Sequence, residues 1–126
     1  GLVIASALAI ETVKPLIYVR SKPKDYGTSK SVEGKIHDGM KVVMIDDVAT
    51  TGGSVLNATK SLTEVNIPVK DAYVIVDRME GATEALQELG VKMHSILNIL
   101  QIAEVLYEQK LIGVDILDKV KQQISK

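Results

Sequence analysis

Three short apolar runs constrain this chain more than any other feature: "KVVMI" at residues 41–45, "AYVIV" at 72–76 and "KMHSIL" at 92–97. Segments with helical spacing follow each of them. Residues 54–64 place Val55, Ala58, Leu62 and Val65 on one face, residues 82–89 form a second helix, and two more helices close the chain. One of these aligns Ile99, Ile102, Ala103 and Leu106, and the other Ile116, Leu117, Val120 and Ile124. Strands that are apolar on both sides, alternating with helices, predict an α/β fold: a parallel sheet with helices on both faces. Gly90 and Gly113 sit where helices are expected to stop.

Ahead of this pattern, "GLVIASALAI" is too short for a membrane span and lacks the basic flank of a signal peptide. It reads as a buried helix over residues 2–13, bounded by Pro15, and a short strand "LIYVR" follows. Residues 21–38, "SKPKDYGTSKSVEGKIHD", have neither helical nor strand periodicity and read as a long loop of functional or mobile character. A doubly wound fold that starts on a helix lacks the strand before it, so a piece of the sheet is expected to be missing. At 126 residues with 46% apolar content, the chain is of single-domain size.

Fifteen basic and sixteen acidic side chains give a net charge of -1, which offers no global basic surface for nucleic acid. With no cysteine there is no disulfide framework and no thiolate nucleophile, and a cytoplasmic location is the default. His94, inside an apolar strand, reads as a hydrogen-bonded core residue, and His37 as a surface one.

The chemistry concentrates in "VVMIDDVATTGGSV", residues 42–55. Ligands of parallel α/β sheets bind beyond the carboxyl ends of the strands. There, Gly52 and Gly53 let backbone approach a ligand closely, and Thr50, Thr51 and Ser54 add hydroxyls to the unpaired N–H groups of a helix N-terminus. This is a phosphate cradle. It has neither the lysine of a Walker loop nor the spacing of a dinucleotide fold. Asp46 and Asp47 would repel phosphate, so hydrogen-bond-donating sugar hydroxyls are their natural partners. The plain alternative is a capped strand-to-helix turn with no ligand.

An apolar strand, paired acids and a Thr/Gly turn in this order resemble the phosphoribosyl diphosphate (PRPP) signature of type I phosphoribosyltransferases. The resemblance runs essentially from end to end. "YVRSKPKDYGTSKSVEG" resembles the catalytic loop of the orotate branch, and "VIVDRMEGA" its orotate-binding segment. The resemblance implies a Rossmann-like core and an orotate phosphoribosyltransferase, a pentosyltransferase of pyrimidine biosynthesis. Such an enzyme makes orotidine 5-phosphate and diphosphate from orotate and PRPP. It implies PRPP contacts from Arg20, Lys24, Tyr26 and the run Asp46, Asp47, Val48, Ala49, Thr50, Thr51, Gly52, Gly53 and Ser54. Lys24, Asp46 and Asp47 take the catalytic roles, and Thr50 and Arg78 bind orotate. Magnesium is implied as the cofactor, held mainly through PRPP rather than by a protein metal site.

A homodimer is implied too, with Arg20 and, from a mobile loop over residues 21–38, Lys24 serving the neighbouring subunit's site. Nucleic acid and membrane are not implied as partners. The chain departs from the family at Tyr26, where many members have histidine, and at Ser21, where lysine is usual and Lys22 stands as the substitute. The family's upstream segment, with a further orotate-contacting lysine and a diphosphate loop, is also missing, and truncation is the expected explanation.

Each role has a plainer counterpart. Lys22, Lys24, Lys30 and Lys35 read equally as solvated loop charges, and Asp77–Arg78 as a local ion pair. Two rival functions stand beside the orotate reading: a type I transferase acting on a purine or uracil, and a non-catalytic PRPP-binding regulator.

Overall fold

The computed structural model describes residues 1–20, 31–37 and 39–125. Its elements run α1 (Leu2–Thr12), β1 (Ile17–Val19), β2 (Val32–Gly34), β3 (Val42–Ala49), α2 (Gly53–Glu64), β4 (Val69–Asp77), α3 (Ala82–Glu88), β5 (Lys92–Asn98), α4 (Ile99–Glu108) and α5 (Val114–Ile124). Strands β3, β4 and β5 form a parallel sheet in that order, as the three apolar runs predict. The expected strand at "LIYVR" is β1. It pairs antiparallel with β2, Tyr18 opposite Glu33, which corrects the reading of residues 21–38 as strandless. The remainder of that segment, residues 21–30 and 38, lies outside the described residues, and with it Ser21, Lys22, Lys24, Tyr26 and Lys30.

Alternation along β4 sets the core. Ala72 and Val74 are buried, while Tyr73 between them is half-exposed on the opposite face. On the buried side Ala72 and Val69 pack with Val55 and Leu62 of α2, Leu86 of α3, and Ile67 and Val91 from the connections. Burying these side chains supplies the main stabilisation, at about 1.5–3 kcal/mol for each large one. Thr59 takes the inward position that Ala58 was expected to share, and Val65 stays 40% exposed. α1 packs against β3, α4 against β5, and α5 against α4. Leu117 of α5 is buried, but Ile116 is exposed, so the inward face of that helix is narrower than its apolar content.

Three expectations are corrected here. None of the α1 residues is buried: Val3 is 84% and Ile10 76% exposed. The run is apolar all round, and among the described residues its main contact is with β3. Gly113 does not stop a helix; it is the N-cap of α5, and the turn after α4 is made by Lys110 at φ 57. Gly90 does follow α3, at φ 73, where a residue without Cβ is favoured. His94 is half-buried rather than in the core. Its ring stacks on Tyr73 with centroids 4.5 Å apart, and its Nε2 lies 2.8 Å from Asp71 Oδ1.

Candidate active site

β3 runs further than its apolar residues. Pairing with β4 continues through Asp46↔Val74, Val48↔Val76 and Ala49↔Asp77, so both acids belong to the strand rather than to the turn. Backbone pairing is indifferent to side-chain polarity, which is why two carboxylates do not end the strand. The turn proper is Thr50, Thr51 and Gly52, and α2 begins at Gly53.

The two acids are hydrogen-bonded to their surroundings. Asp46 Oδ2 accepts from the Ser54 hydroxyl at 3.0 Å, and Oδ1 from the Asp47 N–H at 3.0 Å. Asp47 Oδ1 accepts from the Val48 N–H at 3.1 Å. Both carboxylates face the start of α1, where the Gly1 nitrogen is 3.3 Å from Asp46 Oδ1 and 3.2 Å from Asp47 Oδ1. A hydrogen bond shared with the Asp46 carboxyl is the largest cause that lowers the Asp47 carboxyl to about 2. At neutral pH it is an acceptor only.

Beyond them, Gly52 caps α2 at φ 80 and ψ 3, with no side-chain cap on the first-turn N–H groups. Those groups and the helix dipole are free to meet an anion. Gly52 is buried against the start of α3: a Cβ there would stand 3.3 Å from the Ala82 Cα. Thr51, Gly53 and Ser54 are exposed around it and Thr50 is half-buried.

Arg78 joins this turn through the backbone, its N–H donating to the Ala49 carbonyl at 2.9 Å. Its side chain does not pair with Asp77. Arg78 Nη2 is 2.7 Å from Glu80 Oε1, whereas Asp77 Oδ1 accepts from the Met79 N–H at 2.7 Å. Glu80 was missed in the sequence although it lies two residues from the arginine. The signal was available, because an acid at that distance is a ready partner once Met79, at φ 57, turns the chain. Arg20 is on the β1–β2 hairpin, its Nε donating to Glu33 and its guanidinium 5.7 Å from the Tyr18 ring centre. The hairpin touches α2 through β1. Thus Asp46 to Ser54 and Arg78 meet at one sheet edge, and Arg20 occupies a separate element.

Among the described residues no group of three or more His, Asp or Glu could hold a metal. The two carboxylates fit the way magnesium is commonly bound, by one or two acids together with substrate phosphate oxygens. An open apolar groove of about 630 Å³, lined by Leu97, Ile102 and Val105 among others, includes none of the turn residues. No helix among the described residues is long and apolar enough to cross a membrane.

A parallel sheet that ends in paired acids and a glycine turn, opening an uncapped helix, defines an α/β protein of the phosphoribosyltransferase type. The chain belongs to the phosphoribosyl transferase domain family, whose model matches residues 1–108. It is 48% identical over 121 residues to the orotate phosphoribosyltransferase of Cenarchaeum symbiosum (strain A), covering 96% of this chain and 60% of that protein. Among solved structures, the orotate phosphoribosyltransferase of Aeropyrum pernix superposes with a TM-score of 0.73 at 42% identity, over 84% of this chain and 58% of that one. The Mycobacterium tuberculosis H37Rv orotate phosphoribosyltransferase in complex with PRPP does so at 0.58 and 29%, over 68% and 48%. The chain therefore spans about 60% of the length of the curated relative from Cenarchaeum.

Proposed function

We propose that this chain is the PRPP- and base-binding core of an orotate phosphoribosyltransferase. The observation that carries the proposal is the junction of Asp46, Asp47 and the uncapped α2 N-terminus with Arg78, tied together by the Arg78–Ala49 backbone bond. The names of the relatives, and PRPP in the Mycobacterium tuberculosis complex, support it.

In this reading Thr51 to Ser54 hold the 5-phosphate by N–H and hydroxyl donors, and Asp46 and Asp47 accept from the ribose hydroxyls. The C1–O bond of PRPP breaks with its electron pair leaving on diphosphate, and a ring nitrogen of orotate forms the new bond to C1 as its N–H proton is released to the departing diphosphate. Positive charge develops on the ribose, beside the Asp47 carboxyl, which is held well below the usual carboxylate range. No protein nucleophile is required. Arg78 orients the planar, anionic pyrimidine through parallel hydrogen bonds from its fork, with Thr50 beside it. Magnesium, bound mainly through PRPP, supplies charge neutralisation for the diphosphate. Arg20 and Lys24 reach that diphosphate from a partner subunit in a homodimer, on a loop whose closure excludes water. The enzyme serves pyrimidine synthesis in the cytoplasm.

Base choice tests the proposal. With PRPP and magnesium, the full natural protein should convert orotate to orotidine 5-phosphate and diphosphate in equal amounts, read by anion-exchange chromatography. Turnover of adenine, hypoxanthine or uracil in place of orotate would refute it.

A further inference from the structure

Helix α5 lies outside the residues matched by the family model, yet it reaches the base side of the candidate site. Gln123 Nε2 donates to Glu80 Oε1 at 2.7 Å, and the same oxygen takes Arg78 Nη2 at 2.7 Å. One carboxylate oxygen, 43 residues from Gln123 in sequence, thus links the last helix to the guanidinium. Glu80 is the less exposed partner, 24% against 45% for Arg78, so the support is more enclosed than the group it supports.

We infer that Glu80 and Gln123 are positioning residues that hold the Arg78 fork ready for the carboxylate or imide edge of the pyrimidine. The inference deepens the orotate reading and rests on it. A free arginine side chain has large rotamer entropy to lose when it engages a ligand. Anchoring one Nη to a fixed acceptor removes part of that loss before substrate arrives, which is how preorganisation raises affinity. The anchor is an ion pair at Nη2 alone, on a guanidinium that carries five N–H donors. The remaining guanidinium N–H groups have no hydrogen-bond partner among the described residues and stay available for a planar acceptor pair. Gln123 fixes the anchor in turn: without its amide, Glu80 keeps its charge but loses the second bond that orients Oε1. The Asp77–Met79 bond and the left-handed Met79 hold the intervening backbone, so positioning falls to side chains on either side of a fixed turn.

The test uses Gln123→Ala, Glu80→Gln and Arg78→Ala in the full natural protein, with circular dichroism to check folding and steady-state kinetics in orotate and PRPP separately. Gln123→Ala should raise the orotate KM about twofold to tenfold, the effect of one neutral hydrogen bond, while the PRPP KM does not move. Glu80→Gln should act in the same direction, and adding Gln123→Ala to Arg78→Ala should cause no further loss, because both act through one group. An unchanged orotate KM in Gln123→Ala and Glu80→Gln, with Arg78→Ala raised, overturns the inference and leaves the base site standing. Equal rises in both KM values reduce the contact to a structural one and overturn it too. A lowered orotate KM would mean that Glu80 competes with substrate for Arg78, and overturns the inference as well. If Arg78→Ala itself leaves the orotate KM unmoved, the base-site reading fails and takes the inference with it.

Discussion

Replacing Gly52 with alanine puts the geometry of the signature turn to a quantitative test. Gly52 has φ 80, and a Cβ on it would stand 3.3 Å from Ala82 Cα, 3.4 Å from Ala82 Cβ and 3.5 Å from the Ala82 carbonyl oxygen. Left-handed backbone costs a residue bearing Cβ about 1–2 kcal/mol. The reduced freedom of alanine in the unfolded chain offsets about 0.4–1 kcal/mol of this. Gly90, at φ 73 with nothing within 4 Å of its Cβ position, experiences those two effects alone. Gly52 adds crowding against the backbone at the start of α3. Overpacking typically costs about 1–3 kcal/mol, and contacts of this length fall at the lower end. Gly52→Ala should therefore cost about 1 kcal/mol more than Gly90→Ala, measured from urea midpoints at constant m. It should also weaken PRPP binding, because relief of the contact shifts the first turn of α2. Equal stability losses in the two variants would refute the argument that Ala82 limits what position 52 can hold.

Two further predictions concern the acids and the subunits. The Asp47 carboxyl is depressed to about 2 in the folded chain against about 3.9 unfolded, so its stabilisation is complete above pH 4 and disappears as pH falls towards 2. The stability gap between wild type and Asp47→Asn should close over that window and be small throughout, since Asp47 is 62% exposed; a gap that widens on acidification contradicts the assignment. For the proposed shared sites, mixing inactive Lys24→Ala and Asp47→Asn proteins should restore part of the wild-type activity, because one site of each heterodimer bears neither lesion. A mixture that stays inactive while mass spectrometry confirms subunit exchange would place the loop in its own chain's site.

The parallel sheet was legible because "KVVMI", "AYVIV" and "KMHSIL" are the near-continuous apolar runs that parallel strands carry, although Val43, Tyr73 and Ile96 leave part of the sheet exposed among the described residues. The acids and glycines of the turn were legible for the same local reason: their chemistry and their backbone needs lie within nine residues of each other, Asp46 to Ser54. What escaped depends on distant pairing. β2 is three residues in a lysine-rich stretch, and only β1 opposite it makes it a strand. The extension of β3 through Asp46 and Asp47 is set by β4, not by its own side chains. α1 reads as buried because every face is apolar, yet burial depends on what is packed against it, and β3 meets one side. Gln123 carried no signal at all, since a glutamine on an amphipathic helix is ordinarily a solvated residue, and only the fold brings it to Glu80.

The most direct test of the central claim is titration calorimetry of PRPP, in the presence of magnesium, into the wild-type protein and Asp47→Asn. The account predicts saturable binding by the wild type, and a weaker affinity for the variant by the worth of a charged hydrogen bond, about 1.5–3 kcal/mol. Undiminished affinity in a variant whose circular dichroism matches the wild type would contradict it.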